Sequence, residues 1–140
     1  MIFTNGVFDV LHIGHIELLK KCKGLGGKLV VGINSDRATK ILKGENRPIN
    51  NEQDRKKMLE ALSVVDEVII FDDVAPLCLI KSLHPAVVVK GGEWTAEEVR
   101  KRDKIPDDIE VKVFPIVENY STTGVIKKIK ESPTWEKKKS

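Results

Sequence analysis

Several large function classes lose their support from what this chain lacks. Of its 140 residues only two are cysteine, Cys22 and Cys78. They lie far apart and show no paired spacing of a metal cage or a disulfide framework, so two reduced and mostly buried thiols are expected. Aromatic residues make up 5%, and no basic stripe carries interleaved rings, which argues against a nucleic-acid partner. No apolar run approaches the length that crosses a bilayer and no signal-peptide pattern opens the chain; a cytoplasmic protein without membrane attachment is expected. Neither Gly-x-Gly-x-x-Gly nor the P-loop pattern is present, so the usual phosphate-binding loops of dehydrogenases and kinases are missing. The net charge of +3 is small beside 32% charged residues, and Lys137, Lys138 and Lys139 account for much of it.

The length fits one domain with a real core, and 41% of the residues are hydrophobic. Short apolar runs at 1–4, 28–33, 67–71, 86–90 and 110–116 read as strands, and helical patterns lie between them. That alternation predicts an α/β fold of βα units, a parallel sheet with helices on both faces. Ile13, Ile16, Leu19 and Cys22 fall on one side of a first helix, which Gly24, Gly26 and Gly27 would stop. Asn50 with Gln53 reads as a capping-box variant opening a helix whose Met58, Leu59 and Leu62 form the apolar stripe. Pro76 suits the first turn of a helix carrying Leu77, Ile80 and Leu83, which His84-Pro85 ends. Thr95 with Glu98 opens another, and Ser121 opens a last helix with Val125, Ile126 and Ile129. The folded unit is expected over 1–131, with a disordered basic tail over 132–140.

Two of the three histidines sit in one tetrapeptide, His12-Ile13-Gly14-His15, just past the first strand. Residues at i and i+3 share a helix face. The first turn of a helix also carries unpaired N–H groups and the positive end of the dipole, which makes phosphate its natural guest. Glycine lets a phosphate approach the backbone, and imidazoles donate to phosphate oxygens as charge builds. Read alone, the pair fits ordinary surface or half-buried histidines at a helix start better than a phosphate role; its place at the ligand-binding edge of an open α/β sheet is what favours phosphate.

Other positions gain meaning beside it. Lys43-Gly44-Glu45-Asn46-Arg47-Pro48 is a loop with two cations, followed by Arg55 one turn into the next helix; it reads as a solvated loop alone and as a triphosphate clamp with the histidines. Lys90-Gly91-Gly92-Glu93-Trp94 leaves the fourth strand at the carboxyl edge of the sheet, where ligands bind, or is a plain tight turn. Trp94 is expected in the core. Ser121-Thr122-Thr123 offers hydroxyls and free N–H groups, though serine and threonine are also good caps. Asp36 suits a substrate hydroxyl or a helix cap, and His84 is expected to be structural.

Together these blocks resemble the cytidylyltransferase-type nucleotidyltransferases, whose mark is His-x-Gly-His after the first strand. The similarity runs from Phe3 to about Ile129. Thr4-Asn5-Gly6-Val7-Phe8-Asp9, Asn34-Ser35-Asp36, Leu42-Lys43-Gly44 with Arg47-Pro48, Val89-Lys90-Gly91-Gly92 and Ser121-Thr122-Thr123 are most similar to the adenylyltransferase domains of ADP-heptose synthesis. The resemblance implies a Rossmann-like, doubly wound five-stranded parallel sheet of order 3-2-1-4-5. It implies attack by a sugar or alditol phosphate on the α-phosphate of a nucleoside triphosphate, ATP favoured over CTP, with Mg2+ held mainly by the phosphates. It places His12 and His15 on the α-phosphate and leaving group, with Lys43 and Arg55 neutralising the triphosphate. Ser121 and Thr122, with Thr123, hold β and γ oxygens. Thr4, Asn5, Gly6, Phe8, Gly14 and Tyr120 belong to the nucleotide pocket, Lys90, Gly91, Gly92 and Glu93 face base and ribose, and Asp9 and Asp36 serve the acceptor. No dedicated metal ligand is implied, and a homodimer is.

Glycerol-3-phosphate cytidylyltransferases carry Arg-Thr-Glu-Gly before the final Ser-Thr-Thr, whereas Pro115 to Tyr120 supplies no such arginine. A CTP-dependent enzyme acting on glycerol 3-phosphate or another small phosphate or phosphonate is therefore the alternative to heptose 1-phosphate adenylylation. A non-catalytic nucleotide-binding regulator is the alternative of another class. An in-line displacement by an ionised phosphate needs positioning and charge stabilisation, and no general base is assigned.

Overall fold

The computed structural model describes residues 1–116 and 121–132. In chain order run β1 (Ile2–Gly6), α1 (Ile13–Gly24), β2 (Leu29–Asn34), α2 (Asp36–Lys43), α3 (Glu52–Glu60), β3 (Glu67–Phe71), α4 (Leu77–Leu83), β4 (Val87–Gly91), α5 (Ala96–Asp103), β5 (Glu110–Phe114) and α6 (Thr122–Lys130). All pairings are parallel, and the strands lie in the order β3-β2-β1-β4-β5, as the resemblance implied. The chain moves outward from β1 to β3, then returns to the other side of β1 with β4. The crevice beyond the carboxyl ends of β1 and β4 is thus the switch point where open α/β sheets bind ligands.

The apolar runs explain how both faces are covered. Side chains alternate across a strand, so Ile2, Val87 and Val89 join Leu19 and Cys22 of α1 and Leu59 of α3 in one core. Phe3, Val30 and Val88 join Ile80 of α4 and Val99 of α5 in the other. Continuous hydrophobic strands are what a parallel sheet sandwiched between helices needs. Gly32 in β2 has no room for more than hydrogen: a Cβ there would lie 2.9 Å from Phe3 Cζ and 3.2 Å from Leu79 Cδ2.

Local details differ from the sequence expectations for identifiable reasons. The first strand runs on to Gly6 and the last stops at Phe114. Ile13 is 45% exposed, because six residues before buried Leu19 it sits about 240° around the helix. Met58 is likewise exposed, lying about 100° from buried Leu59, and Leu62 falls past the end of α3. The cap of α3 is Asn51, whose Oδ1 accepts from Asp54 N at 2.9 Å; Asn50 is drawn away to Asp9, to which it donates twice. Cys22 is buried as expected, but Cys78 is exposed. Trp94 is 45% exposed and stacks under Arg102 rather than joining a core. Thr95 and Ser121 cap their helices as the sequence suggested, and His84 is an exposed left-handed C-cap paired with Asp108. Asn119, Tyr120 and the tail from 133 lie outside the described residues.

Gly32→Ala is expected to lower unfolding free energy by about 1–3 kcal/mol through overpacking against Phe3 and Leu79, read by urea denaturation.

Candidate active site

His12 is not inside α1 but caps it, with an extended backbone at φ −140° and ψ 175°. Its Nδ1 accepts from Gly14 N at 3.1 Å, and three residues on His15 Nδ1 accepts from His12 N at 3.3 Å. The tetrapeptide thereby builds a capping box from imidazoles, where most helices use a hydroxyl or carboxylate. The two rings stack with centroids 3.8 Å apart, and the Phe8 ring lies 5.1 Å from that of His15. Phe8 takes a left-handed φ of 49° and packs its ring against the backbone of Gly6, where a Cβ would lie 3.1 Å from Phe8 Cε2.

This arrangement sets the protonation of both rings. A nitrogen that accepts from an amide carries no proton, so each neutral imidazole keeps its hydrogen on Nε2. Burial lowers the His15 pKa to about 4, with the neighbouring His12 adding to the effect, and burial also lowers that of His12. At neutral pH the pair is two uncharged donors held side by side.

A cavity of about 700 Å³ opens at this point. It is lined by Asn5, Gly6 and Phe8 after β1, by His12, Gly14 and His15 of the capping turn, and by Lys43 at the end of α2. Lys90 and Gly91 line it from the end of β4, and Ser121, Thr122 and Thr123 from the start of α6. Thr122 Oγ1 donates to Val10 O at 3.1 Å, which ties α6 to the loop before α1. The first turns of α1, α4 and α6 carry no acidic residue, whereas those of α2, α3 and α5 do. The three helices whose starts border the cavity thus have no acidic side chain at their positive poles.

Five assigned residues lie elsewhere. Arg55 is fully buried and spends its guanidinium inside the protein: Nε donates to Asn50 O at 2.9 Å, Nη1 to Val7 O and Asn34 O, and Nη2 to Asp36 Oδ1 at 2.8 Å. It cannot also neutralise a triphosphate, and Asp36, its partner, stands outside the cavity lining. Thr4 is buried with its hydroxyl on Val89 O, and Gly92 and Glu93 are not part of the lining. Asp9 does border the cavity, but its carboxylate is taken by Arg47 Nε at 2.9 Å, Ile49 N at 2.7 Å and Asn50 N at 2.8 Å. That leaves it a loop staple rather than an acceptor ligand. Arg47, a loop cation in the sequence, does line the cavity.

The family model described as cytidylyltransferase-like matches residues 3–128. The chain belongs to the cytidylyltransferase-like family. It is 51% identical over 130 residues to the bifunctional protein HldE of Campylobacter fetus, covering 93% of this chain and 28% of that protein. The HldE of Koribacter versatilis is 47% identical over 129 residues, with 91% and 26% covered. The chain therefore spans little more than a quarter of these relatives. Among solved structures it is similar to the lipopolysaccharide core biosynthesis protein from Thermoplasma volcanium, with TM-score 0.68, 30% identity and coverage of 86% of this chain and 97% of that one. Pantothenate synthetase from Thermus thermophilus shares the fold at TM-score 0.60 and 19% identity, over 97% of this chain and 64% of that one.

In this cytidylyltransferase-like site, sequence reasoning missed Glu17, Lys21, Arg102, Asp103 and the 74–76 turn, all of which line the cavity. Asp103 carried a local signal, an acidic residue at the negative end of a helix among Arg100, Lys101 and Arg102. Among the described residues no group of three or more His, Cys, Asp or Glu is gathered as a metal site, and no helix is long and apolar enough to cross a membrane.

Replacing Arg55 by Met removes its charge-assisted bonds and strands Val7 O and Asn34 O, at an expected cost of about 3 kcal/mol in denaturant unfolding. The His15 pKa lies below its unfolded value of about 6.5, so the unfolded chain binds the proton first. Its contribution to stability is complete above that pH and is lost as pH falls toward about 4. Asp66 and Asp72, held low by hydrogen bonds from Lys23 and Arg37, act only below the ordinary carboxylate range. Urea unfolding at pH 5 should therefore be weaker than at pH 7.5 by about 1 kcal/mol, and His15→Phe should remove most of the difference.

Proposed function

We propose that the chain is a nucleotidyltransferase that joins the nucleoside monophosphate of ATP to a sugar 1-phosphate of the heptose type and releases pyrophosphate. The observation that carries this reading is the stacked imidazole pair, with both Nε2–H donors left over after Nδ1 capping, at the mouth of the switch-point cavity. The blocks shared with the adenylyltransferase domains of ADP-heptose synthesis support the choice of acceptor. So does the likeness to a protein described as acting in lipopolysaccharide core biosynthesis.

The chemistry follows from the charges. An ionised phosphate oxygen of the acceptor attacks the α-phosphorus in line, the bond from that phosphorus to the bridging oxygen of the β-phosphate breaks, and the electron pair leaves with pyrophosphate. No proton must be removed from the nucleophile, so the protein's work is positioning and stabilisation of spreading negative charge. Neutral Nε2–H donors at the positive pole of α1 meet the α-phosphate without a counter-ion to displace. Lys43 and Arg47 face the phosphates from one side, and Ser121, Thr122 and Thr123 from the other. Asn5, Gly6 and Gly91 let the nucleotide lie close to the sheet edge. With the Asp9 carboxylate already holding three donors, magnesium fits as part of the nucleotide substrate, ligated by phosphates and water. Bound there it supplies neutralisation of the triphosphate charge.

The test is phosphate release in the presence of inorganic pyrophosphatase, with ATP and heptose 1-phosphate against CTP and glycerol 3-phosphate. Release only with the first pair is expected. Release only with the second would move the chain to the cytidylyltransferases of small phosphates, and release with neither, while nucleotide still binds, would leave a regulator. His15→Ala should lower kcat by about 10²–10³ with little change in Mg-ATP affinity; unchanged kcat would remove the histidines from the mechanism.

A further inference from the structure

One buried carboxylate at the cavity has no part in the steps above. Asp103 ends α5 and is 6% exposed. A carboxylate there faces the negative pole of its own helix, so local energetics disfavour it. Its Oδ1 accepts from Arg102 Nε at 3.2 Å. Its Oδ2 lies 3.2 Å from Lys90 Nζ, close enough for an ion pair but without hydrogen-bond alignment, and that oxygen has no hydrogen-bonded partner among the described residues. The Lys90 side chain is itself 11% exposed and donates to Asn5 Oδ1 at 2.6 Å. The ammonium is therefore clamped between the ends of β1 and α5 at the floor of the cavity. Burial pushes the Lys90 amine down, and the Asp103 charge opposes that.

Charge counting suggests what the clamp is for. Lys90 and Arg102 share one carboxylate; the Arg102 side chain is 45% exposed and meets water, whereas that of Lys90 is 11% exposed, so the ammonium has only a shared counter-charge on its buried side. Such an ammonium is costly unless an anion completes it. A neutral base would leave it uncompensated, whereas a phosphoryl oxygen would close the account. An ammonium has three N–H groups; one goes to Asn5, one lies toward Asp103, and the third remains.

We propose that Asp103 is a positioning residue for Lys90, holding its ammonium against Asn5 so that the remaining N–H meets a phosphoryl oxygen of a bound substrate. This rests on the transferase reading for the substrate but not for the clamp. Calorimetric titration with Mg-ATP and with glucose 1-phosphate as probes, in the native protein, Asp103→Asn, Lys90→Met and the double variant, tests it. Asp103→Asn is expected to weaken one probe by about tenfold at pH 7, the effect of one charge-assisted hydrogen bond, and by more at pH 9. In the Lys90→Met background it should add nothing. The probe that weakens tells whether the oxygen belongs to the triphosphate or to the acceptor. Native affinity for both probes in Asp103→Asn at both pH values would overturn the proposal. NMR titration of the Lys90 amine after reductive methylation supplies a readout independent of any ligand, and Asp103→Asn should lower its midpoint. If the native protein binds neither probe while that midpoint still falls, the transferase reading and the phosphoryl contact fail and the clamp stands. Should Asp103→Asn not fold, Asp103→Glu keeps the charge one methylene away, and unchanged affinity there would equally overturn the positioning role.

Discussion

Everything at the carboxyl edge of this sheet depends on a charged side chain that is buried and does not line the cavity. Arg55, fully buried, gathers the carbonyls of Val7, Asn34 and Asn50 and the Asp36 carboxylate around one guanidinium. Those carbonyls follow β1, end β2 and precede α3, so the ends of two paired strands and the loop before α3 meet at one rigid fork of donors. Asp9 makes the reciprocal tie from the loop after β1, accepting from Arg47, Ile49 and Asn50. With both in place, the 44–51 segment cannot drift from the turn that precedes α1. Two buried charges are tolerable here because Arg55 makes four hydrogen bonds and the Asp9 carboxylate accepts three.

That stapling gives the imidazole pair its value. His12 and His15 are held from below by the backbone of their own helix start and flanked by the Phe8 ring. Their low pKa values follow from burial, which leaves two neutral donors at a cavity where Lys43 and Arg47 bring positive charge. Absence of acid in the first turns of α1 and α6 keeps the local field positive there. The same segment thus caps a helix, sets two tautomers and lines the cavity.

The strands, the doubly wound layering and the histidine turn were legible because each is written in contiguous residues. Alternating burial of Phe3 against Ile2 and of Val88 against Val87 and Val89 comes from strand geometry alone. Thr95 and Ser121 announce helix starts through side-chain chemistry that acts within three residues. The misplaced details share another cause. Asn50 would have capped α3 had Asp9, distant in sequence, not taken its donors. Arg47 and Arg55, eight residues apart, carry the same charge and both belonged to the expected clamp, but packing buries Arg55 as an internal tie and leaves only Arg47 of the two at the cavity.

What the chain's order of residues decided without help was where elements begin, which faces they bury and which tetrapeptide caps the first helix, since propensity, periodicity and capping all act over a few residues. Only the folded arrangement decided which cations face the cavity, which serve as internal ties, and that Asp103 stands beside Lys90. A buried charge has to be compensated at a few ångströms, and packing alone determines which part of the chain comes that close.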